Sequence, residues 1–226
     1  LNCFDVMNFH YYPAWHGAWD PYGPGLIGKA IYFRQKLEAY GKGDKELICT
    51  ETGIRGHPDW GGDEQQSRYV VKAFVRGTVA DLPIVIWFTA LDSTISEGLY
   101  GLYDFSYQPK PSYEAFATTS RMIVGSQYLR ALDSQETGSQ DLEGYMFLKS
   151  DRRRFVVSWT EGATKFDHDD NPSAQFEVNT DSLLLTDKLG RSSQWVYDID
   201  DGVADHTVTL TIDGSIGGAG TLTGGS

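Results

Sequence analysis

Three times before Gly125, a short apolar run is followed by a segment whose apolar residues recur at helical spacing. This alternation restricts the fold more than any other feature of the chain. Phe4 to Phe9 is the first run. After a loop dense in Pro, Gly and Trp, Ile27, Ala30, Ile31, Leu37 and Tyr40 mark a helix face that Gly41 and Gly43 end. Glu46 to Thr50 is the second run. Asp63 with Gln66 three residues on has the form of a capping box, opening a helix with Val70, Ala73, Phe74 and Gly77 on one face. Pro83 introduces the third run, Ile84 to Phe88. Pro111, suited to a first helical position, opens a last helix lined by Tyr113, Phe116, Ala117 and Ile123.

Runs this short, apolar on both faces and separated by helices, read as buried parallel strands. Three βα units make an α/β layer or part of a (β/α)8 barrel. Three strands cannot close a barrel, and an open parallel sheet leaves apolar faces uncovered. Further strands are therefore expected upstream of Leu1, in either arrangement.

After Gly125 the spacing changes to period two. Tyr128 to Leu132, Leu142 to Leu148, Phe155 to Trp159, Gln175 to Val178, Leu183 to Leu185, Gln194 to Ile199 and Thr207 to Ile212 read as strands. Turn formers such as Asp201-Gly202 and Asp213-Gly214 separate them. Strands at this spacing imply a small antiparallel β-sandwich. The expected organisation is a partial barrel over 1–125, a β-sandwich over 126–213, and a flexible Gly-rich tail over 214–226.

The net charge of -12 argues against nucleic acid or an anionic membrane as partner. The basic cluster Arg152-Arg153-Arg154 is short and flanked by acids, as in a solvated turn. No apolar run approaches the roughly 20 residues that span a bilayer. Alternation places Cys3 and Cys49 on opposite faces of neighbouring strands, so both are expected as buried thiols rather than a disulfide. The acidic groups Asp167-His168-Asp169-Asp170 and Asp198, Asp200, Asp201 and Asp205 lack calcium-loop spacing and fit hairpin turns. Asn171 is followed by Pro172, which removes that glycosylation sequon. No motif calls for a metal or a cofactor.

Chemistry in (β/α)8 enzymes sits at the C-terminal ends of the strands. The three runs end in Asn8-Phe9-His10-Tyr11-Tyr12-Pro13, in Cys49-Thr50-Glu51-Thr52-Gly53, and in Ile86-Trp87-Phe88-Thr89. Period two places Glu51 on the face of Leu47 and Cys49, His10 with Tyr12, and Trp87 with Val85. One rim then carries an imidazole, a phenol, a carboxylate and an indole, a set suited to sugars. The carboxylate can attack an anomeric carbon, the phenol and imidazole can hydrogen-bond it, and the indole can pack on a pyranose ring. Each residue also has a plainer reading. His10 fits a satisfied core histidine, Tyr12 a cap on the core, and Trp87 ordinary packing in an apolar strand. Trp15, Trp19 and Trp60 lie in Gly- and Pro-rich loops, as walls for outer sugar subsites or as loop anchors. His16 and His57 lie near the rim without an assignable role.

The His10-Tyr11-Tyr12 triplet, the T-E-T-G at 50–53 and the I-W-F at 86–88 resemble strands six, seven and eight of clan A retaining glycoside hydrolases, which include cellulase-like and β-xylosidase-like enzymes. G-G-D-E-Q-Q-S-R-Y-V at 61–70 and G-L-Y-D-F-S-Y-Q-P-K-P-S-Y-E-A-F at 101–116 resemble the helix after strand seven and the return into the last helix. The resemblance covers Leu1 to about Val124. It implies Glu51 as nucleophile, His10 and Tyr12 as the pair beside it, and Trp87 as the sugar-stacking residue; Trp15 and Trp60 are expected as further substrate contacts from their loop positions alone. The clan's acid/base Glu follows an Asn at the end of strand four, and residues 1–226 hold no such strand. The implied function is hydrolysis of a β-linked polysaccharide or oligosaccharide, with the isolated fragment catalytically incomplete. The competing reading is a non-catalytic carbohydrate-binding or cell-surface β-sandwich protein. An acidic glycosidase is expected to be extracellular or periplasmic. Sugar, linkage and oligomeric state are left open.

Overall fold

The computed structural model describes residues 3–93, 98–160, 173–179, 182–196, 207–212 and 221–224. The chain divides into two compact units, Leu1–Val124 and Gly125–Ser226.

The first unit runs β1 (Val6–Tyr11), α1 (Gly25–Ala39), β2 (Glu46–Thr52), α2 (Gly62–Val79), β3 (Val85–Trp87) and α3 (Pro111–Ile123). The strands form one parallel sheet in the order β1-β2-β3. One sheet face is covered by helices. It carries Phe9 and Tyr11 from β1, Leu47 and Cys49 from β2, and Trp87 from β3, all buried. Phe9 meets Phe33 of α1 at 5.4 Å between ring centres, and Trp87 meets Tyr69 of α2 at 5.9 Å. Helices α2 and α3 join through an edge-to-face pair, Phe74 and Phe116, at 5.0 Å. Gly77 lets α2 lie close to β3, because a Cβ there would stand 2.6 Å from Val85 Cγ2. The other sheet face is open, with Val6, Ile84, Ile86 and Phe88 all exposed.

Local details depart from the sequence expectations. The buried positions of α1 are Leu26, Gly28, Ala30 and Leu37, while Ile31 and Tyr40 are exposed. Leu26, Ala30 and Leu37 make a stripe as regular as the one expected, and sheet contact selects it. In α3 the buried residues are Ser112, Ala115, Thr118 and Thr119. Small residues lie beneath the larger Tyr113 and Phe116, which pack sideways on Tyr103 and Phe74. The capping box at Asp63 does not form, since the cap of α2 is Gly61. Asp63 pairs with Lys110 at 3.1 Å, and Gln66 turns inward. Cys49 is buried as expected, whereas Cys3 is exposed; both are free thiols.

The second unit holds β4 (Gln127–Ala131), α4 (Ser134–Thr137), β5 (Leu142–Leu148), β6 (Arg154–Thr160), β7 (Ala174–Asn179), β8 (Ser182–Thr186), β9 (Ser192–Val196), β10 (Thr207–Ile212) and β11 (Thr221–Gly224). All pairings among the described residues are antiparallel, in sheets ordered β4-β5-β6, β11-β10-β7 and β8-β9. In β5 the buried positions change parity midway, Leu142 and Gly144 and then Tyr145 and Phe147, so both faces of the strand are partly covered. Helix α4 is unanticipated. Asp133 caps it with a full capping box to Glu136. Within the expected tail, Thr221–Gly224 pairs with β10, its Thr-Leu-Thr alternation suiting an edge strand. Arg152 and Arg153 of the Arg cluster follow Asp151 in the turn between β5 and β6, with Arg153 held on that carboxylate at 2.6 Å, and Arg154 begins β6. The acidic groups at 167–170 and 198–205, the turns at 201–202 and 213–214, Asn171, Tyr197 to Ile199 and tail residues 214–220 lie outside the described residues. No helix among the described residues is long and apolar enough to cross a membrane.

Candidate active site

The site begins with a break in strand register. Phe9 pairs with Cys49, but the next residue of β1, His10, pairs with Glu51. Thr50 is therefore an extra residue in β2. The same irregularity separates β2 from β3, where Cys49 pairs with Val85 and Thr52 with Trp87. A bulge of this kind adds one residue and reverses the facing of every residue beyond it. Leu47 and Cys49 face the helices. Beyond Thr50, Glu51 faces the open side and Thr52 is buried, its hydroxyl 2.7 Å from the Tyr69 hydroxyl. The expectation that Glu51 shares a face with Leu47 and Cys49 is thus corrected. Uninterrupted alternation would have buried the carboxylate beneath the helices.

On the open side Glu51 meets His10. His10 Nδ1 lies 2.5 Å from Glu51 Oε2, with the two side chains 53% and 23% exposed. Tyr12, immediately past β1, hydrogen-bonds the same carboxylate. Burial, that bond and the Glu51 charge all hold the Tyr12 phenol well above its ordinary pKa, so it remains a proton donor. Lys29 of α1 donates to the His10 carbonyl at 2.7 Å and lies 3.9 Å from the Trp19 ring centre. Its pKa is lowered by burial. Cys49 is no rival nucleophile, since burial pushes its thiol up to about 11.

Glu51, His10 and Tyr12 line a cavity of about 350 Å³, within the range of small-molecule sites. Pro13, Ala14 and Trp15 form one side, and Gly53, Ile54, Arg55 and Trp60 another. Phe88 and Tyr100 complete it. Trp15 is 64% exposed and packs on Tyr12, which meets Tyr100 edge-on at 6.0 Å. The Arg55 guanidinium stands 4.9 Å from the Trp60 ring centre and 5.6 Å from that of Tyr100. Hydrophobic faces and a few hydrogen-bonding groups, with one carboxylate between two donors, suit a polyhydroxylated ligand. Among the described residues no cluster of three His, Cys, Asp or Glu side chains is placed to hold a metal.

Five of the residues singled out in the sequence, His10, Tyr12, Trp15, Glu51 and Trp60, meet in this cavity. Trp87 does not. Facing the helices, it is buried, and its indole N–H donates to the Tyr100 carbonyl at 3.0 Å. Its neighbour Phe88 holds the open-side position. Parity along β3 carried that signal, because Ile84, Ile86 and Phe88 share a face on which Trp87 has no place. Trp19 lies beneath Lys29 rather than in the cavity. His16 pairs with Asp20, and His57 with the backbone N–H of Asp59. Arg55 and Tyr100 carried no sequence signal, since only the folding of two loops brings them together.

The fold resembles that of a family 39 glycoside hydrolase. A solved structure of such an enzyme from the gut symbiont Bacteroides cellulosilyticus matches 98% of this chain at 18% identity, with a TM-score of 0.65. The chain spans 44% of that protein. A monomeric β-xylosidase from Caulobacter crescentus matches 80% of the chain at 19% identity and a TM-score of 0.48, with 39% of its own length covered. A glucosidase from Croceicoccus marinus matches 87% at 13% identity and a TM-score of 0.47, with 40% of its length covered. No family model and no curated protein matches the chain. At these identities the likeness is one of fold.

Proposed function

We propose that the cavity is part of the active site of a retaining β-glycoside hydrolase, with Glu51 as nucleophile. The observation that carries this reading is the bulge at Thr50, which aims one carboxylate at the open end of a parallel sheet between His10 and Tyr12. The open face with Val6, Ile84 and Ile86 is then the inner wall of a (β/α)8 barrel, of which β1, β2 and β3 are strands six to eight. Glu51 attacks the anomeric carbon as the glycosidic C–O bond breaks, and a glycosyl-enzyme ester forms. His10 and Tyr12 orient the carboxylate before attack. The leaving oxygen takes a proton from a second carboxyl group, which afterwards activates the water that cleaves the ester. Among the described cavity-lining residues Glu51 is the only carboxylate, and in this reading the second comes from another part of the barrel. In this reading residues 1–226 alone do not turn over substrate. Phe88 replaces Trp87 as the aromatic ring facing the sugar, with Trp15 and Trp60 as outer contacts. The substrate is a β-linked oligosaccharide or polysaccharide, and the enzyme acts outside the cytoplasm.

A single carboxylate among the described lining residues also fits a second reading, a non-catalytic carbohydrate-binding protein. One experiment separates the two. In the polypeptide that carries the rest of the barrel, Glu51→Gln is expected to abolish hydrolysis of aryl β-glycosides while leaving the thermal melt unchanged. Near-normal hydrolysis in that variant refutes the nucleophile. A parent protein that binds xylo-oligosaccharides but hydrolyses none establishes the binder.

A further inference from the structure

The two loops that wall the cavity are joined by one buried side chain. Gln66, in the second turn of α2, has no exposed surface. Its amide nitrogen donates to the Ile54 carbonyl at 3.0 Å and to the Leu99 carbonyl at 3.1 Å. Ile54 belongs to the loop leaving β2, between cavity residues Gly53 and Arg55. Leu99 immediately precedes Tyr100 in the loop that follows β3. The Leu99 carbonyl also accepts from the Gly56 N–H at 2.8 Å, and Gly53 lies so close that a Cβ would stand 2.4 Å from the Phe88 carbonyl oxygen.

Only an NH2 group can do this. Turned about, the amide would place its own oxygen against two carbonyl oxygens. Among the described residues Gln66 Oε1 is buried without a hydrogen-bond partner. A buried acceptor left unpaired lowers stability, so a Met of similar length would relieve one defect while losing two donors. We propose that Gln66 is a positioning residue. It holds the loop bearing Arg55 in register with the loop bearing Tyr100, and so fixes the aromatic and guanidinium wall beside Glu51.

The test uses the chain 1–226, and only its last arm rests on the reading of the cavity as a saccharide site. In the unmodified protein the Gly56 amide is expected to exchange at least about tenfold more slowly than an open loop amide. Exchange at the open-loop rate overturns the proposal even if no variant folds. In Gln66→Met and Gln66→Glu that protection is expected to fall. The Trp60 indole and Arg55 Nε–H resonances are expected to shift while those of the second unit stay in place. A purely structural role predicts a lower Tm with those two resonances unmoved, and that result also overturns the proposal. Titration with methyl β-D-xyloside, read on the Trp60 indole, is expected to show affinity weakened about fivefold or more in either variant. An unmodified protein that fails to respond to the sugar sinks the saccharide reading, and the first two arms still decide the clamp.

Discussion

Thr52→Val tests how the strand is held immediately beyond the bulge. Thr52 has no exposed surface, and its hydroxyl lies 2.7 Å from that of the buried Tyr69. Val keeps the shape and removes the bond. The stranded phenol then costs about 1–3 kcal/mol, and Tyr69→Phe costs a similar amount by stranding the threonine hydroxyl. Removing both hydroxyls leaves neither short of that bond, so the double variant is expected to lose roughly 1–3 kcal/mol rather than the sum. The coupling is therefore about 1 kcal/mol or more. Urea titration followed by the Trp60 and Trp87 indole N–H resonances reports unfolding of the first unit, since Trp159 and Trp195 of the second unit would add to any fluorescence signal. Single effects that add to within about 0.5 kcal/mol refute the reasoning. The His10 ring resonances give a second readout. If the bond anchors the bulge, they shift in Thr52→Val.

Trp87→Ala is expected to cost about 3–5 kcal/mol in a urea melt, because the indole is core. Phe88→Ala, at a position 41% exposed, costs well under that and instead weakens saccharide binding measured by calorimetry. Lys110 is 8% and Asp92 4% exposed in their ion pair, so Lys110→Met strands a buried carboxylate and costs about 3–5 kcal/mol by thermal melt. Iodoacetamide at neutral pH is expected to label Cys3 and spare Cys49, as read by mass spectrometry. The folded Cys49 thiol titrates at about 11, against an ordinary value of 9.0. Above pH 9 the unfolded chain therefore gives up that proton first. Stability falls from pH 9 towards pH 11 by up to about 1.4 kcal/mol per unit, and Cys49→Ala removes that part of the slope.

The order of strands and helices in the first unit was legible because each run is short, apolar and punctuated. Pro111 opens α3 as expected, and Gly41, at a φ of 66°, follows the end of α1. The helix faces were less legible. In α1 Ala30 and Leu37 are buried as expected, but Leu26 rather than Ile31 or Tyr40 completes the stripe, and tertiary contacts such as Phe33 on Phe9 set that rotation. Asp63 and Gln66 have the spacing of a local cap, but partners distant in sequence, Lys110 and the carbonyls of Ile54 and Leu99, claim both side chains. In the cavity, Glu51 was visible as the polar end of an apolar strand. Its facing was not, since period two carries no mark of an inserted residue. The same parity, followed faithfully along β3, would have selected Phe88 over Trp87.

The bulge at Thr50 makes the site depend on counting as well as on residue type. Upstream of it, odd-numbered positions of β2 belong to the core; downstream, the even-numbered Thr52 does. Deleting one residue between Cys49 and Glu51 would change no functional side chain, yet it would turn the carboxylate into the helix layer and Thr52 out towards the cavity. Any transplant or redesign of this strand must therefore carry Thr50 as a spacer, whatever amino acid occupies it. Length is a determinant here in its own right, and two strands that match at every chemical group but differ by that spacer would present opposite faces to the same cavity.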